Sequence, residues 1–247
     1  MLTLTNKKIK TFLLSLTLVF SFFLGITVSH YRIFPYPQLQ SLKQVFFPVV
    51  ELTEYQNKYR QRTISKHSLL SDTAFDAVFV GDSITAEANW SELYPELKVA
   101  NLGINADTTQ GLLQRINTVK AITAPKVFLM IGINDILQGV AIEETEQNYE
   151  RLVELLKHNN NQVYLFSCLY LGKDYQEPSV DEYSDKITRL NDFIKALENR
   201  IENVVYIDLN ASLSSNLQLK SAYTNDDLHL NGNAYRIWKD LIDQHIK

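Results

Sequence analysis

The sequence predicts an α/β fold in which helices cover both faces of a parallel sheet. Two observations support this prediction: short, nearly continuous apolar runs recur from Phe75 onward, and longer amphipathic segments separate them. Strands that are covered on both faces read as continuous apolar runs rather than as alternating ones. Strands that alternate with helices along the chain imply parallel pairing through right-handed crossovers.

Five strands are predicted from runs rich in β-branched and aromatic residues. We place them at 75–80, 98–102, 126–131, 162–167 and 204–209. Helical spacing of apolar residues fills the intervals. We place helices at 109–122, 142–157, 180–199 and 233–244. Because ligands bind outside the carboxyl ends of the strands in open parallel sheets, we expect the functional residues to lie there.

Composition excludes several classes of protein. The chain has 247 residues with 28 acidic and 24 basic side chains, and its formal net charge is −4. This acidic balance disfavours nucleic acid as a partner, because phosphate binding needs a basic face. The single cysteine, Cys168, excludes an intramolecular disulfide, a cysteine-based zinc site and an iron–sulfur cluster. The length suits one sizeable α/β domain with an appendage.

The N-terminus differs from the rest of the chain. No Asp, Glu, Lys or Arg occurs from Thr11 to Tyr31, and apolar residues lie all around this segment when it is drawn as a helix. The three preceding lysines predict a cytoplasmic N-terminus, with everything after Tyr31 periplasmic or extracellular. We therefore predict a transmembrane signal anchor over residues 1–31. The alternative is a cleaved signal peptide, for which residues 27–29 are a weak cleavage pattern.

Residues 32–71 read as a juxtamembrane spacer between this anchor and a catalytic domain at 72–247. The spacer contains helical spacing from Glu51 to Arg62. A helix here either packs on the domain or separates the domain from the membrane, and the sequence leaves both possibilities open.

Polar, glycine-containing segments follow three of the predicted strands. They are Gly81-Asp82-Ser83, Asn101-Leu102-Gly103 and Gly132-Ile133-Asn134-Asp135, and a fourth segment, Asp226-Asp227-Leu228-His229, follows the last strand. Together they contain a serine, candidate amide donors, a histidine and a carboxylate three residues before it. This is the set that acyl transfer needs: a nucleophile, oxyanion donors, a general base and a residue that orients the base.

These four segments make the chain resemble the SGNH, or GDSL-type, esterase and lipase family over roughly Asp76 to Trp238. The resemblance implies a flavodoxin-like three-layer α/β/α sandwich around a five-stranded parallel sheet. More locally, Asn101 to Leu112 and the run from His229 to Tyr235 look like the branch that contains lysophospholipase-like, platelet-activating-factor-acetylhydrolase-like and carbohydrate O-acetylesterase-like members.

The resemblance makes Ser83 the nucleophile, His229 the base and Asp226 its orienting partner. The residues support the same roles, because a serine hydroxyl needs an imidazole to take its proton and the imidazole needs a carboxylate on its other nitrogen. Asp227 competes with Asp226, but the three-residue spacing favours Asp226. The oxyanion donors are expected to be the backbone N–H groups of Ser83 and Gly103 and the side-chain amide of Asn134.

The remaining polar residues have structural interpretations. Asp82 and Asn101 are expected to brace loops, Asp135 to be structural, and Cys168 to be a small buried residue, while Asn134 and Asp135 also suit helix caps. Ser83 itself is in a sequence that also suits a helix cap. The other histidines have neither paired spacing nor acidic neighbours, so no metal site and no cofactor are predicted. Beyond the fourth strand, 172–183 is expected to form part of a substrate wall.

Three side chains are predicted to line that wall: Trp90, Leu171 and Tyr175.

The function that these observations predict is a membrane-anchored serine esterase that removes O-acetyl groups from envelope or extracellular glycans. Its partners would be a small-molecule, glycan or lipid ester and the membrane around the N-terminal helix. A lipid-directed esterase, either a lysophospholipase or a thioesterase, differs only in the acyl pocket. A third alternative is a non-catalytic, membrane-tethered binding protein on a hydrolase fold. The oligomeric state is left open.

Overall fold

The computed structural model describes residues 53–157, 161–175 and 180–246, together with Ser21. The predicted transmembrane helix and the first part of the spacer lie outside these ranges. Within the described part of the chain, no helix is both long and apolar enough to cross a bilayer.

The described residues form a five-stranded sheet, a two-stranded hairpin and ten α-helices, four of which have at least ten residues. In chain order the elements are α1 Glu54–Ser68, β1 Ala77–Gly81, α2 Ser83–Ala86, α3 Trp90–Leu93, β2 Val99–Gly103, α4 Thr109–Gln114, α5 Ile116–Lys120, β3 Lys126–Met130, α6 Ile133–Leu137, α7 Ile142–Leu156, β4 Gln162–Phe166, α8 Val180–Arg200, β5 Val204–Ile207, α9 Asn210–Leu213, β6 Ser214–Ser215, β7 Gln218–Leu219, a 3₁₀ turn Ser221–Tyr223 and α10 Gly232–Ile246.

The five strands pair in parallel in the order β2-β1-β3-β4-β5, which confirms the predicted α/β fold and its five-stranded sheet. This order is the flavodoxin-like one, and it reverses direction between β1 and β3. A crevice therefore opens at the carboxyl ends of β1, β2 and β3, where three of the polar segments lie.

Aromatic side chains in neighbouring strands form the centre of one face of the sheet. Phe79, Phe128 and Tyr164 occupy matching register positions on β1, β3 and β4. Their rings stack in sequence, with centroids 4.9 and 4.6 Å apart. Trp90 stacks on Phe79 from α3 at 3.8 Å, and Trp238 of α10 meets the edge of Trp90. This column of rings ties α3 and α10 to the sheet beneath the site.

The predicted helix at 109–122 is two helices, α4 and α5, which meet at Arg115. Arg115 adopts φ −109° and ψ 11°, outside the helical region. Its side chain is buried, where Nε lies 2.7 Å from Asp107 Oδ2 and Nη2 donates to the Gly81 carbonyl at 3.2 Å. These contacts with distant residues accompany the break, and the local sequence pattern contains neither of them.

Helix α1 is longer than the helix predicted at 51–62, and it packs on the domain. A capping box begins it: Thr53 Oγ1 accepts from the Gln56 N–H, and Gln56 Oε1 accepts from the Thr53 N–H. His67 is buried near its end, and Arg60 reaches Asp107 and Gly111. Val50–Lys247 forms one compact unit, so this part of the predicted spacer belongs with the sheet.

Candidate active site

Ser83 is the first residue of α2, directly after the central strand β1. Asp82 caps this helix, because its Oδ1 accepts from the Ile84 N–H at 3.0 Å. The cap and the short helix turn the chain sharply at the carboxyl end of the sheet. Ser83 is mostly buried but retains 8% exposure. The serine therefore lies at the carboxyl end of β1, within the crevice, and does not itself cap the helix.

Ser83, His229 and Asp226 form a continuous hydrogen-bonded chain. Ser83 Oγ lies 3.0 Å from His229 Nε2, and His229 Nδ1 lies 2.6 Å from Asp226 Oδ2. Ser83 and His229 are 146 positions apart in sequence and meet only through the fold. Hydroxyl, imidazole and carboxylate are thus arranged in the order that serine acyl transfer requires.

The loop that carries Asp226 and His229 is fixed by the Asp226 carboxylate. Asp226 Oδ1 accepts from the backbone N–H groups of Leu228 and His229 at 3.1 and 2.7 Å. Partial burial raises the pKa of Asp226, but the hydrogen bonds from the His229 side chain and backbone outweigh it and lower the pKa overall. The carboxylate is therefore held ionised beside the imidazole.

Asp227 has a different role from Asp226. Its backbone is left-handed, with φ 64°, a conformation that Asp tolerates better than most residues. Its carbonyl accepts from the Gly172 N–H at 2.7 Å, which joins the catalytic loop to the segment after β4. The choice of Asp226 over Asp227 as the histidine's partner agrees with this geometry.

Asn134 is the second residue of α6. This helix begins directly after Gly132, whose φ of 122° suits only glycine. Its Nδ2 donates one hydrogen to the Asp107 carbonyl at 3.0 Å. The amide group carries a second hydrogen, which this bond leaves free to meet an oxyanion. The Ser83 N–H, in the first turn of α2, has no acceptor within its helix.

Gly103 is the third predicted oxyanion donor. In this structure its N–H donates to Asn101 Oδ1 at 3.0 Å instead of pointing to an open position. A Cβ at this position would collide with the backbone of Ala86 and Asp82. Glycine is therefore needed here for close approach of β2 to the nucleophile helix. A few residues later, Ala106 has the left-handed φ of 58°, which marks the 104–107 loop as tightly shaped.

Asn101 braces the nucleophile helix, as predicted. Its Nδ2 lies 3.0 to 3.1 Å from the carbonyls of Thr85, Ala86 and Ala88. From the other side, the Tyr235 hydroxyl of α10 donates to the Ile84 carbonyl at 2.7 Å. The sequence interpretation did not include Tyr235, since nothing local in the chain pairs it with α2.

Three buried carboxyl groups lie beneath the site. Burial raises the pKa of Asp82 to about 7, although the Ile84 N–H lowers it. Burial likewise raises the pKa of Asp135 to about 6, against the two hydrogen bonds it accepts from Thr109. Asp107 is paired with two guanidinium groups, those of Arg60 and Arg115. Asp82 and Asp135 therefore have structural positions, as the sequence predicted.

Two of the three predicted substrate-wall residues belong to the core. Trp90 and Leu171 are each 1% exposed, so neither can contact a substrate, and both expectations are corrected. Trp90 stacks on Phe79 and donates its indole N–H to the Thr85 carbonyl at 3.1 Å. Tyr175 does lie beside the catalytic loop. It lines a cavity of about 420 Å³ together with Asp174, Asp226, Asp227 and Leu228.

Glu87 is a neighbour of the triad that the sequence interpretation missed. It follows α2, four residues after the nucleophile, and its Oε1 lies 3.9 Å from His229 Nε2. A carboxylate is therefore present on the serine side of the imidazole as well as on the Asp226 side. The four-residue spacing on one helical turn is a sequence signal that could have identified it.

Cys168 is fully buried, and burial raises the pKa of its thiol well above the usual value, which makes it a poor nucleophile. Across the described ranges, no three His, Cys, Asp or Glu side chains are grouped so that they could hold a metal ion.

Comparison with known proteins places this geometry in context. A model of the GDSL-like lipase/acylhydrolase family matches residues 79–237, which is more than half of the chain and includes the whole triad. Among curated proteins, the platelet-activating factor acetylhydrolase IB subunit alpha2 of Rattus norvegicus is 27% identical over 192 residues. That alignment covers 73% of this chain and 82% of the relative.

Solved structures show the same fold. A Streptococcus pneumonia structure described as a platelet activating factor has 25% identity and a TM-score of 0.71, covering 78% of this chain and 95% of its own. A Bacteroides fragilis structure described as an acylhydrolase has 26% identity and a TM-score of 0.65. The match covers 79% of this chain and 98% of the Bacteroides fragilis chain.

Proposed function

The chain belongs to the GDSL-like lipase/acylhydrolase family of ester-hydrolysing enzymes, and on this premise we propose that it is a membrane-anchored serine esterase that removes O-acetyl groups from envelope or extracellular glycans. The observation that carries the catalytic part of the proposal is the unbroken chain from Ser83 Oγ through His229 to Asp226, with distances of 3.0 and 2.6 Å.

The proposed reaction has two acyl transfers. Ser83 Oγ attacks the ester carbonyl while His229 Nε2 takes its proton, and that proton then leaves with the alcohol. Water next attacks the acyl-enzyme, gives a proton to His229 Nε2 and releases the acid, and the proton returns to Ser83. Asp226 accepts from Nδ1–H throughout, so that Nε2 of the neutral ring presents its lone pair to the serine and Nε2 of the protonated ring donates to the leaving alcohol or back to Ser83.

The negative charge that develops on the carbonyl oxygen needs donors that are already in place. We assign the Ser83 N–H and the second hydrogen of the Asn134 amide to this role. Each such donor is worth about 10² to 10³ in rate. Gly103, whose N–H is committed to Asn101, is left out of the assignment.

A polar substrate is favoured by the surroundings of the triad. The cavity next to the catalytic loop is lined by three aspartates, Asp174, Asp226 and Asp227, by Tyr175 and by Leu228. Such a surface suits a hydroxyl-rich alcohol better than an acyl chain. The rat relative is named as an acetylhydrolase, which favours acetyl as the acyl group.

A lipid-directed esterase is the second candidate. The same relative favours this candidate, because its name gives platelet-activating factor as the substrate. The two candidate functions use the same catalytic residues and differ in the substrate group that binds in the cavity, either a glycan or a lipid.

The membrane part of the proposal rests on the sequence. The uncharged segment from Thr11 to Tyr31 follows three lysines, so the anchor leaves the catalytic domain outside the cytoplasm. Envelope glycans are accessible from that side. A reporter fused after residue 247 that is active only outside the membrane supports the anchor, and a mature protein that begins after Ser29 contradicts its retention.

Substrate class is tested with purified protein on a series of p-nitrophenyl esters from acetate to palmitate, run beside O-acetylated glycans. We expect acetate to be the best ester and the glycans to release acetate. The Ser83→Ala variant controls for background hydrolysis. A preference for long acyl chains contradicts the glycan assignment and favours the lipid-directed candidate.

A further inference from the structure

Arg60 connects helix α1 to the loop after β2. Its Nη2 and Nε lie 3.2 and 3.4 Å from Asp107 Oδ1, and Nη2 also donates to the Gly111 carbonyl. The side chain is 13% exposed. Helix α1 precedes residue 79, where the family match begins. A contact with the site loop therefore comes from outside the matched domain.

Asp107, the partner of Arg60, is tied to the nucleophile strand as well. Its carboxylate is completely buried, and its other oxygen lies 2.7 Å from Arg115 Nε. Arg115 in turn donates to the carbonyl of Gly81, two residues before Ser83. Asp107 thus lies between two guanidinium groups, one from α1 and one that contacts the end of β1.

The backbone of Asp107 contacts the proposed oxyanion donor directly. Its carbonyl accepts from Asn134 Nδ2 at 3.0 Å. The preceding residue, Ala106, has a left-handed backbone with φ 58°, a conformation that a non-glycine residue keeps only when its surroundings hold it. The backbone of Asp107 therefore carries the carboxylate that Arg60 contacts and the carbonyl that holds the Asn134 amide. A shift of the carboxylate moves this backbone and, with it, the amide.

We propose that Arg60 is a positioning residue for catalysis: it holds Asp107 so that the Asp107 carbonyl orients the Asn134 amide toward the developing oxyanion. Arg60 touches neither substrate nor triad and acts through Asp107. This inference rests on the proposed esterase function and deepens it, since it makes α1 part of the catalytic unit.

Removal of Arg60 should leave the protein folded. Asp107 retains the buried pair with Arg115, so no unpaired charge is left inside. The partial exposure of Arg60 allows water to reach the vacated place and the Gly111 carbonyl. The expected effect is therefore a looser loop rather than a lost fold.

The test compares Arg60→Ala with Arg62→Ala, a matched control on the exposed face of the same helix. Both are made in the full chain and assayed on p-nitrophenyl acetate beside wild type and Ser83→Ala. We expect Arg60→Ala to lower kcat about 10- to 100-fold with KM within about twofold, because an oxyanion donor acts in the transition state. Guanidinium chloride well below denaturing concentrations should restore part of that kcat, and Arg62→Ala should resemble wild type.

Two results overturn the positioning role. One is a kcat for Arg60→Ala equal to that of Arg62→Ala. The other is a fall in kcat that guanidinium does not rescue and that parallels the unfolded fraction measured by circular dichroism, which indicates a purely structural role. The proposed function fails separately: in that case wild type itself shows no more hydrolysis than Ser83→Ala.

Discussion

Asp226 holds His229 at two points, with Oδ2 2.6 Å from the imidazole Nδ1 and Oδ1 accepting from the His229 backbone N–H at 2.7 Å. One carboxylate therefore sets both the position of the loop and the orientation of the ring. Because Nδ1 must carry a proton to donate to Asp226, Nε2 is left as the acceptor that faces Ser83. The proposed base is thus pre-set by a residue three positions away.

Replacing Asp226 by Asn tests this arrangement. An amide of the same shape allows the other tautomer of His229, so we expect kcat to fall about 10³- to 10⁴-fold while the fold is kept. Steady-state hydrolysis of p-nitrophenyl acetate measures the loss. Asp227→Asn is the matched control, since Asn also tolerates its left-handed backbone, and its kcat should stay within a few-fold of wild type. Equal losses in the two variants would show that Asp226 is not the specific partner of His229.

Glu87 should influence which esters reach the triad. Its carboxylate lies 3.9 Å from His229 Nε2, so it repels an anionic substrate next to the nucleophile. We expect Glu87→Gln to raise kcat/KM for an anionic ester, such as p-nitrophenyl hemisuccinate, relative to neutral p-nitrophenyl acetate. The ratio should change about two- to fivefold, as for a partly exposed charge pair. Glu92→Gln, another exposed acid nearby in sequence, serves as the control. An unchanged ratio in Glu87→Gln contradicts this role.

Asp82 should make the free energy of unfolding depend on pH. Its pKa is about 7 in the folded protein and near 3.8 in the unfolded chain. Between these values the folded state holds a proton that the unfolded state has lost, so Asp82 makes stability fall as pH rises through this window. Asp82→Asn removes this contribution. We expect the variant to gain stability relative to wild type, on the order of a few kcal/mol, between pH 4 and pH 8.

Urea unfolding followed by circular dichroism across that pH range measures the difference. Two other groups act in the opposite direction: His67, whose pKa burial lowers to about 4, and Asp226, whose pKa is also lowered. Both are present in wild type and variant, so the comparison cancels them. Parallel stability curves for the two proteins would refute the raised pKa of Asp82.

Trp90 should matter for stability and not for substrate binding. The indole is buried between Phe79 and Trp238, so Trp90→Phe removes packing and one hydrogen bond. We expect a loss of about 1 to 3 kcal/mol in the free energy of unfolding. KM for p-nitrophenyl acetate should stay within about twofold. A large rise in KM without a loss of stability would indicate that Trp90 contacts the substrate and would contradict this prediction.

The sheet was readable from the sequence because its strands are covered on both faces. Each predicted strand overlaps the observed one, from Ala77–Gly81 to Val204–Ile207, with ends that differ by at most two residues. The short helices α2, α3, α6 and α9 were not predicted. Four or five residues are too few to show a helical period.

Ser83, His229 and Asp226 could be proposed together from the sequence because each of them follows a strand in a polar segment. The oxyanion donors were harder to predict from the sequence. Gly103 ends β2, beside the nucleophile helix, but its N–H donates to the side chain of Asn101, two residues earlier. Trp90 was wrongly predicted to contact the substrate, because an indole close to the nucleophile in sequence suits the hydrophobic core as well as a substrate-binding surface. The contact of Arg60 with Asp107 spans 47 residues, and no local pattern indicates such a pairing.

Labelling with a fluorophosphonate, with the adduct located by peptide mass spectrometry, tests whether Ser83 is the nucleophile of a serine esterase. We expect one phosphonyl group per chain, attached to Ser83, and no labelling of protein that was denatured beforehand. Ser83→Ala should remain unlabelled. A folded wild-type protein that takes up no label, or a Ser83→Ala variant labelled as fully as wild type, would contradict this role of Ser83.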